Sequence, residues 1–183
     1  MFKEFRVYLR ALEVDDYKNS IKWRQDDEIW DMLVGPKYYV SEAYEKKWVE
    51  DAIFNASNRL VLAICLKEMD KHIGYVYLNN IDIKNRSASF AILIGEKEYW
   101  GKGLAKEATM LMLYHGFYVL GLERIEARQL CYNKGSIKVS EKCGFKTEGI
   151  LRKAVFKNGE YRDLNLMSVI REDFDAILMN YQD

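Results

Sequence analysis

A chain of 183 residues with 49% hydrophobic content is sized for one domain, residues 1–183, with a sizeable core. Its 28 lysines and arginines balance 28 aspartates and glutamates, so no net field exists to capture nucleic acid or an anionic membrane broadly. Cys65, Cys131 and Cys143 are odd in number and widely spaced, and His72 and His115 are the only histidines, which excludes a structural zinc cluster.

Three free thiols fit a reducing compartment. Lys3, Glu4 and Arg6 interrupt any apolar leader. No run approaches the roughly 18 apolar residues that span a bilayer. The expectation is a cytoplasmic protein with no metal.

Residues 5–9 alternate and predict a short strand. Residues 14–24 and 41–56 predict helices, the second with Ser41 as N-cap and Tyr44, Trp48, Ala52 and Ile53 on one face. Between them, Trp30, Tyr38 and Tyr39 lie in an irregular aromatic stretch. Residues 59–66 and 73–78 are rich in Val, Leu and Ile and predict strands, joined as a hairpin through polar residues 68–71. His72, beginning a strand after a charged turn, is expected on the surface.

Ser87–Ile94 predicts a third strand. From there the period changes. Residues 103–120 predict one long helix, apolar at Leu104, Ala108, Leu111 and Met112, ended by Gly121. His115 lies on its apolar side as a core or edge residue. Arg124–Leu130 reads as a strand, which completes a strand–helix–strand crossover. Residues 135–142 predict a short helix. Residues 145–156 and 161–170 predict strands joined at Asn158-Gly159, a strong hairpin signal.

The segment Gly101-Lys102-Gly103-Leu104-Ala105 joins a strand to the long helix. The first N–H groups of that helix have no intrahelical acceptor, and with the helix dipole they form an anion site. Glycine at 101 and 103 lets a phosphate approach the backbone. Lys97, Lys102 and Lys106 add charge nearby. A Walker loop is excluded because G-x-x-x-x-G-K-[ST] is absent. A dinucleotide fingerprint is excluded because Lys106 stands where its third glycine belongs.

Together these residues resemble the GNAT N-acetyltransferase superfamily, and within it the branch that acetylates ribosomal-protein N-termini and polyamines. Gly101 and Gly103 match the [QR]-x-x-G-x-[GA] loop, with Glu98 in place of Gln or Arg. Glu107-Ala108, Asn133-x-x-Ser136, Lys142-Cys143-Gly144-Phe145, Leu151-Arg152, Asn158-Gly159 and Arg162-Asp163 are similar to the branch's later motifs. Trp23-Arg24 and Asp27-Glu28 are similar to its first helix. The fold implied is mixed α/β: a central, mostly antiparallel sheet with a splayed parallel strand pair and flanking helices.

The resemblance implies acetyl-CoA as cofactor and direct attack by a primary amine. Binding both substrates in one cleft supplies proximity. Pantetheine would pair with the main chain of Ala91, Ile92, Leu93 and Ile94. The phosphates would meet Lys97, Trp100, Gly101, Lys102, Gly103, Leu104 and Ala105, with Lys142 also on the cofactor. Asn133 would contact pantetheine, and Ser136 would stand near the cofactor sulfur. Trp30, Tyr38 and Ser89 are expected to contact the amine, and Trp23, Tyr39 and Trp48 are further candidates for its wall.

Two positions depart from the family. Ser89 stands where many relatives carry a glutamate base, and Ser140 where many carry a tyrosine acid. Asp163 is then the best carboxylate in a motif position, with Glu28 behind it. An α-amine has a pKa of about 7.7–8.0 against about 10.4 for a lysine-type amine, a difference of roughly 3 to 4 kcal/mol at neutral pH. A site without a strong base therefore favours a peptide or protein N-terminus. The alternatives are a small amine such as a polyamine, amino sugar or antibiotic, and a CoA-binding sensor module. The partners expected are the amine and a second copy of the chain in a homodimer, without nucleic acid or membrane.

Overall fold

Hairpins make antiparallel neighbours, and a helical crossover makes parallel ones. The computed structural model, which describes residues 2–181, follows this rule at its hairpins and at one helical crossover. The strands are β1 (Val7–Ala11), β2 (Leu60–Leu66), β3 (His72–Asp82), β4 (Ser87–Ile94), β5 (Arg124–Leu130), β6 (Lys146–Lys157) and β7 (Glu160–Ile170). They form one sheet in the order β1-β2-β3-β4-β5-β7-β6. Among the described residues only β4 and β5 are parallel, and they are joined through the helix α4 (Leu104–Tyr114), whereas β1 and β2 pair antiparallel with helices between them.

The other helices are α1 (Tyr17–Arg24), α2 (Asp27–Asp31), α3 (Glu42–Phe54), α5 (Lys134–Lys142) and α6 (Arg171–Leu178). Alternation along each strand feeds two cores. Val76, Ala88, Phe90, Ile125 and Val169 pack under α4 and α6, against Leu104, Met112, Phe117 and Phe174. Val61, Ala63 and Tyr75 face the other way, against Trp23, Ile29 and Ala52. The second face is covered mainly over its β2–β4 half. Its β5 portion carries Arg124 and Glu126, half-buried, and Arg128, exposed.

Several boundaries differ from expectation for physical reasons. The aromatic stretch contains α2, whose N-cap Asp26 accepts from the N–H groups of Glu28 and Ile29. The long helix stops as α-helix at Tyr114 and finishes in a wider π turn, His115–Val119, where Leu120 N–H reaches His115 O at 3.0 Å. Gly116 presses there against Ile125 Cδ1, only 2.8 Å from where a Cβ would sit. Ser41 does cap α3, but the buried face is Glu45, Val49 and Ala52, while Tyr44 is exposed. Helix α6, which the sequence reading lacked, buries Phe174 and Leu178.

His72 is buried, contrary to expectation. Its Nε2 lies 3.0 Å from Gly74 O and its Nδ1 3.2 Å from Asp16 Oδ1. Arg10 forks onto both Asp16 oxygens at 2.8 Å, and Glu13 N–H donates to Oδ2 at 2.8 Å. Burial pushes the Asp16 carboxyl up, but the Arg10 fork, His72 and the Glu13 N–H outweigh it and hold it far below the usual carboxylate range.

Asp16→Asn is expected to lower stability by about 3 kcal/mol at pH 7, because Arg10 loses its buried partner. The folded carboxyl titrates below its unfolded value of about 3.9. Its contribution is therefore complete above that value and drains as pH falls through the lower folded pKa. Urea unfolding at pH 7 and pH 3 checks both points: the gap between wild type and variant narrows at pH 3. A variant as stable as wild type at pH 7 would contradict the account.

Candidate active site

The cleft begins where the parallel pair stops. Strands β4 and β5 pair only from Ser87↔Arg124 to Phe90↔Ala127. Beyond Phe90, β4 stays bonded to β3 through Ile94, and β5 stays bonded to β7 through Leu130. Ala91, Ile92, Leu93 and Ile94 therefore present a main-chain edge toward a gap that widens away from the pairing. Trp100 spans its far end and donates its ring N–H to Ile94 O at 2.8 Å.

The loop after β4 is built to hold an anion. Gly101 and Gly103 have φ of 73° and 83°, a region that costs L side chains about 1–2 kcal/mol. The N–H groups from Gly101 to Ala105 have no acceptor among the described residues, and the first to find one is Lys106, on Gly103 O. Those donors sit at the start of the eleven-residue α4, where the dipole favours negative charge. Arg6 fixes the loop from below. It forks onto Glu107 Oε1 through Nε at 2.9 Å and Nη2 at 2.6 Å, and Nη2 also donates to Lys102 O at 2.7 Å.

Helices α1 and α3 roof the acceptor side. Trp23 lies against Gly95, where a Cβ would fall 2.0 Å from the ring, and donates to Glu96 Oε1 at 2.9 Å. Arg24 is flanked by Trp30 and Trp48, each 5.2 Å from its guanidinium. It donates to Glu45 Oε2 at 2.8 Å. Glu45 is fully buried, and among the described residues its Oε1 has no partner; Trp30 Nε1 has none either. The end of α2 and the residues after it form a strap tied to the β6–β7 hairpin and to the turn between β5 and α5. Buried Lys157 donates to Trp30 O, Tyr132 donates to Asp31 O, and Asn133 donates to Met32 O.

Gap, loop and roof enclose one cleft of about 1600 Å³. Single-ligand pockets run roughly 300–1,000 Å³, so a donor and an amine fit together. A family model described as an acetyltransferase (GNAT) domain matches residues 6–146. The chain belongs to the GNAT acetyltransferase family. It is 31% identical to the probable N-acetyltransferase YjcK of Bacillus subtilis, over 94% of this chain and 98% of that protein. It is also 31% identical to the spermidine N(1)-acetyltransferase of Escherichia coli K12, over 93% of this chain and 89% of that protein. A spermidine N-acetyltransferase of Vibrio cholerae, solved with CoA and spermine, superimposes with a TM-score of 0.84 at 27% identity, covering 92% of this chain and 98% of that one.

As a GNAT enzyme the protein transfers acetyl from acetyl-CoA to an amine. The unpaired N–H groups from Gly101 to Ala105 fit the cofactor's phosphates. The open edge of Ala91–Ile94 fits an amide-bearing arm. Lys106, Lys138 and Lys142 line the cleft on the same side as α5 and add positive charge.

Most residues singled out in the sequence line this cleft: Ala91 to Ile94, Trp100, Gly101, Gly103, Leu104, Ala105, Asn133, Ser136, Lys142, Trp30 and Ser89. Asn133 is also the N-cap of α5, its Oδ1 accepting from Ser136 N–H at 3.0 Å. The others lie elsewhere. Lys97 points to Asp26 and Glu28, at 2.8 and 2.9 Å, and those carboxylates raise its pKa. That pairing also occupies Glu28. Lys102 turns its ammonium toward the Tyr99 ring, 5.3 Å away. Tyr38 is 69% exposed outside the cleft, and Tyr39 is exposed with it.

Asp163 is the largest departure. It faces a separate surface hollow with Tyr161 and Arg162. Its Oδ1 accepts from Lys153 N–H at 2.7 Å. Lys153 sits at φ 50° within the irregularity between Leu151 and Val155, so the carboxylate satisfies an N–H that the bulge removes from the ladder. Cys143 is fully buried, and burial pushes its thiol up to about 12, which suits packing rather than nucleophilic chemistry. Glu45, Tyr75, Tyr77, Glu126 and Gln129, none of them expected from the sequence, also line the cleft. Alternation along Tyr75-Val76-Tyr77 carried the only signal for the two tyrosines.

Gly103→Ala is expected to weaken CoA binding about tenfold. A Cβ at φ 83° strains the loop and meets Arg6 Nη2 at 3.4 Å, and about 1–2 kcal/mol of strain moves the N–H groups off the phosphate. Titration calorimetry with CoA measures it; unchanged affinity would remove the loop from the phosphate site.

Proposed function

We propose that the amine acetylated by this enzyme is a small, cationic primary amine of the polyamine type. A protein N-terminus, which the sequence favoured, is the weaker reading. The observation that carries the proposal is Glu45: a fully buried carboxylate on the cleft wall with one oxygen on Arg24 and the other without a partner among the described residues. A buried acceptor left unpaired costs about 1–3 kcal/mol, and an amine N–H restores that bond. Trp30, Trp48, Tyr75 and Tyr77 surround it and suit the alkyl segments and cationic centres of such a ligand.

Two further features support the reading. The strap held by Lys157, Tyr132 and Asn133 walls the cleft on the acceptor side, which suits a slender ligand over the end of a folded protein. Similarity to the Escherichia coli and Vibrio cholerae spermidine acetyltransferases runs over nearly the whole chain. The case for an α-amine rests on the lack of a carboxylate at Ser89. Glu126, on the adjoining strand, lines the same cleft and removes that premise.

Ser136 stands at the first turn of α5 on the cleft wall, with its N–H taken up by Asn133. Its hydroxyl has no intramolecular partner among the described residues and is placed to protonate or hydrogen-bond the leaving thiolate.

Thiol release from acetyl-CoA, measured against spermidine, spermine, diaminobutane and peptides with free N-termini, tests the acceptor. The expected kcat/KM is at least tenfold higher for the polyamines, and the reverse order would sink the proposal. Glu45→Gln, which keeps the shape of the side chain, is expected to raise polyamine KM about tenfold with the CoA Kd unchanged. Ser136→Ala is expected to lower kcat roughly 10- to 100-fold with little effect on CoA affinity. A change in affinity alone would leave Ser136 without a chemical role.

A further inference from the structure

Position 89 is a serine where a carboxylate base is expected, and the sheet supplies a carboxylate one strand over. Ser89 and Glu126 are register partners in the short parallel pair. Side chains at paired positions share a face, so both look into the acceptor side of the cleft. Ser89 Oγ stands 3.5 Å from Glu126 Oε1. The pair lies one residue before Phe90↔Ala127, the last rung before the strands part.

Among the described residues three carboxylates line the cleft: Glu45, Asp82 and Glu126. Glu45 sits under the roof, held by Arg24. Asp82 ends β3 and is closed onto Asn85 by bonds of 2.8 and 2.7 Å. Only Glu126 stands at the splay. Its charged neighbours are Arg128, at 3.2 Å, and Arg124, at 3.9 Å. Arg124 is in turn forked onto Glu148 of β6, which accepts from Ser168 of β7.

We propose that Glu126 is the general base of the acetyl transfer, taking over from β5 the task that Ser89 cannot perform from β4. The inference rests on acetyl transfer to a primary amine and holds whichever amine is the acceptor. The ammonium gives one proton to the Glu126 carboxylate, which passes it to solvent along the open face of β5. The neutral nitrogen then attacks the thioester carbonyl carbon. An N–C bond forms, the C–S bond breaks, and its electron pair leaves on sulfur. The nitrogen's surplus proton goes to that thiolate by way of the Ser136 hydroxyl. The sum is an acetamide, a free thiol and one proton released.

Glu126→Gln removes the base and keeps the shape. With any amine that the wild type acetylates, kcat/KM at pH 7.5 is expected to fall at least 100-fold, while CoA affinity and melting temperature hold. The deficit is expected to shrink as pH rises toward 10, where solvent supplies the neutral amine. Ser89→Glu combined with Glu126→Gln returns a carboxylate to the neighbouring position and is expected to recover at least tenfold over Glu126→Gln alone. A Glu126→Gln enzyme within threefold of wild type at pH 7.5 overturns the proposal. So does a loss that is equal at every pH and accompanied by weaker CoA binding or a lower melting temperature. A double variant no faster than Glu126→Gln overturns it as well.

Discussion

Everything functional in this protein depends on a parallel strand pair that is four residues long. Strands β4 and β5 meet from Ser87 to Phe90 and then separate. Unpaired backbone inside a protein is costly, so an open edge persists only where something else accepts its hydrogen bonds. Here the separation is enforced from outside the pair. Strand β3 holds β4 as far as Ile94, and β7 holds β5 as far as Leu130. Each strand is committed to its outer neighbour, and the gap between them cannot close without breaking a ladder. Catalysis by proximity needs such a preformed gap, because two substrates must be held without first paying to open it.

The anion site follows from the same geometry. A strand that leaves its partner must turn into the crossover helix with donors facing the gap, and Gly101 and Gly103 permit the turn. Arg6, Glu107 and Trp100 then fix where those donors point. The cofactor end is thus held by main chain and by contacts below the loop. The acceptor end is made of side chains from α1, α2, α3, β3 and β5. Main-chain sites tolerate sequence change and side-chain sites do not, which is why a family can keep its donor and vary its amine.

That division also governs what the sequence could tell. Ser87–Ile94 and Arg124–Leu130 were legible to the residue, because the switch from alternating to helical period and the glycine punctuation marked both. The glycine loop and the place of Ser136 on the cleft wall were legible because both are set by local sequence. The surroundings of His72 and Lys97 were not legible because their partners lie far along the chain, and those of Asp163 because a bulge leaves no mark in the sequence. Asp16 buries His72, Asp26 takes Lys97, and a bulge at Lys153 occupies Asp163. Glu45 was hidden for the opposite reason. A glutamate in a helix reads as surface, and only Arg24, 21 residues earlier, makes its burial tolerable.

Motif reading follows one strand, whereas a sheet offers the same point in space from two. Ser89 and Glu126 are 37 residues apart and share a rung. A proton acceptor at the splay needs to be on that face and near that rung; nothing in the chemistry requires it to be on β4. A parallel pair keeps the two positions in register because its rungs join residues that run in the same direction. Loss of a carboxylate from one strand therefore leaves the other strand able to carry it, provided the side chain alternates onto the cleft face, as Arg124, Glu126 and Arg128 do between the buried Ile125 and Ala127. Read one strand at a time, Ser89 marks a missing base. Across the pair, it is the space that Glu126 reaches into.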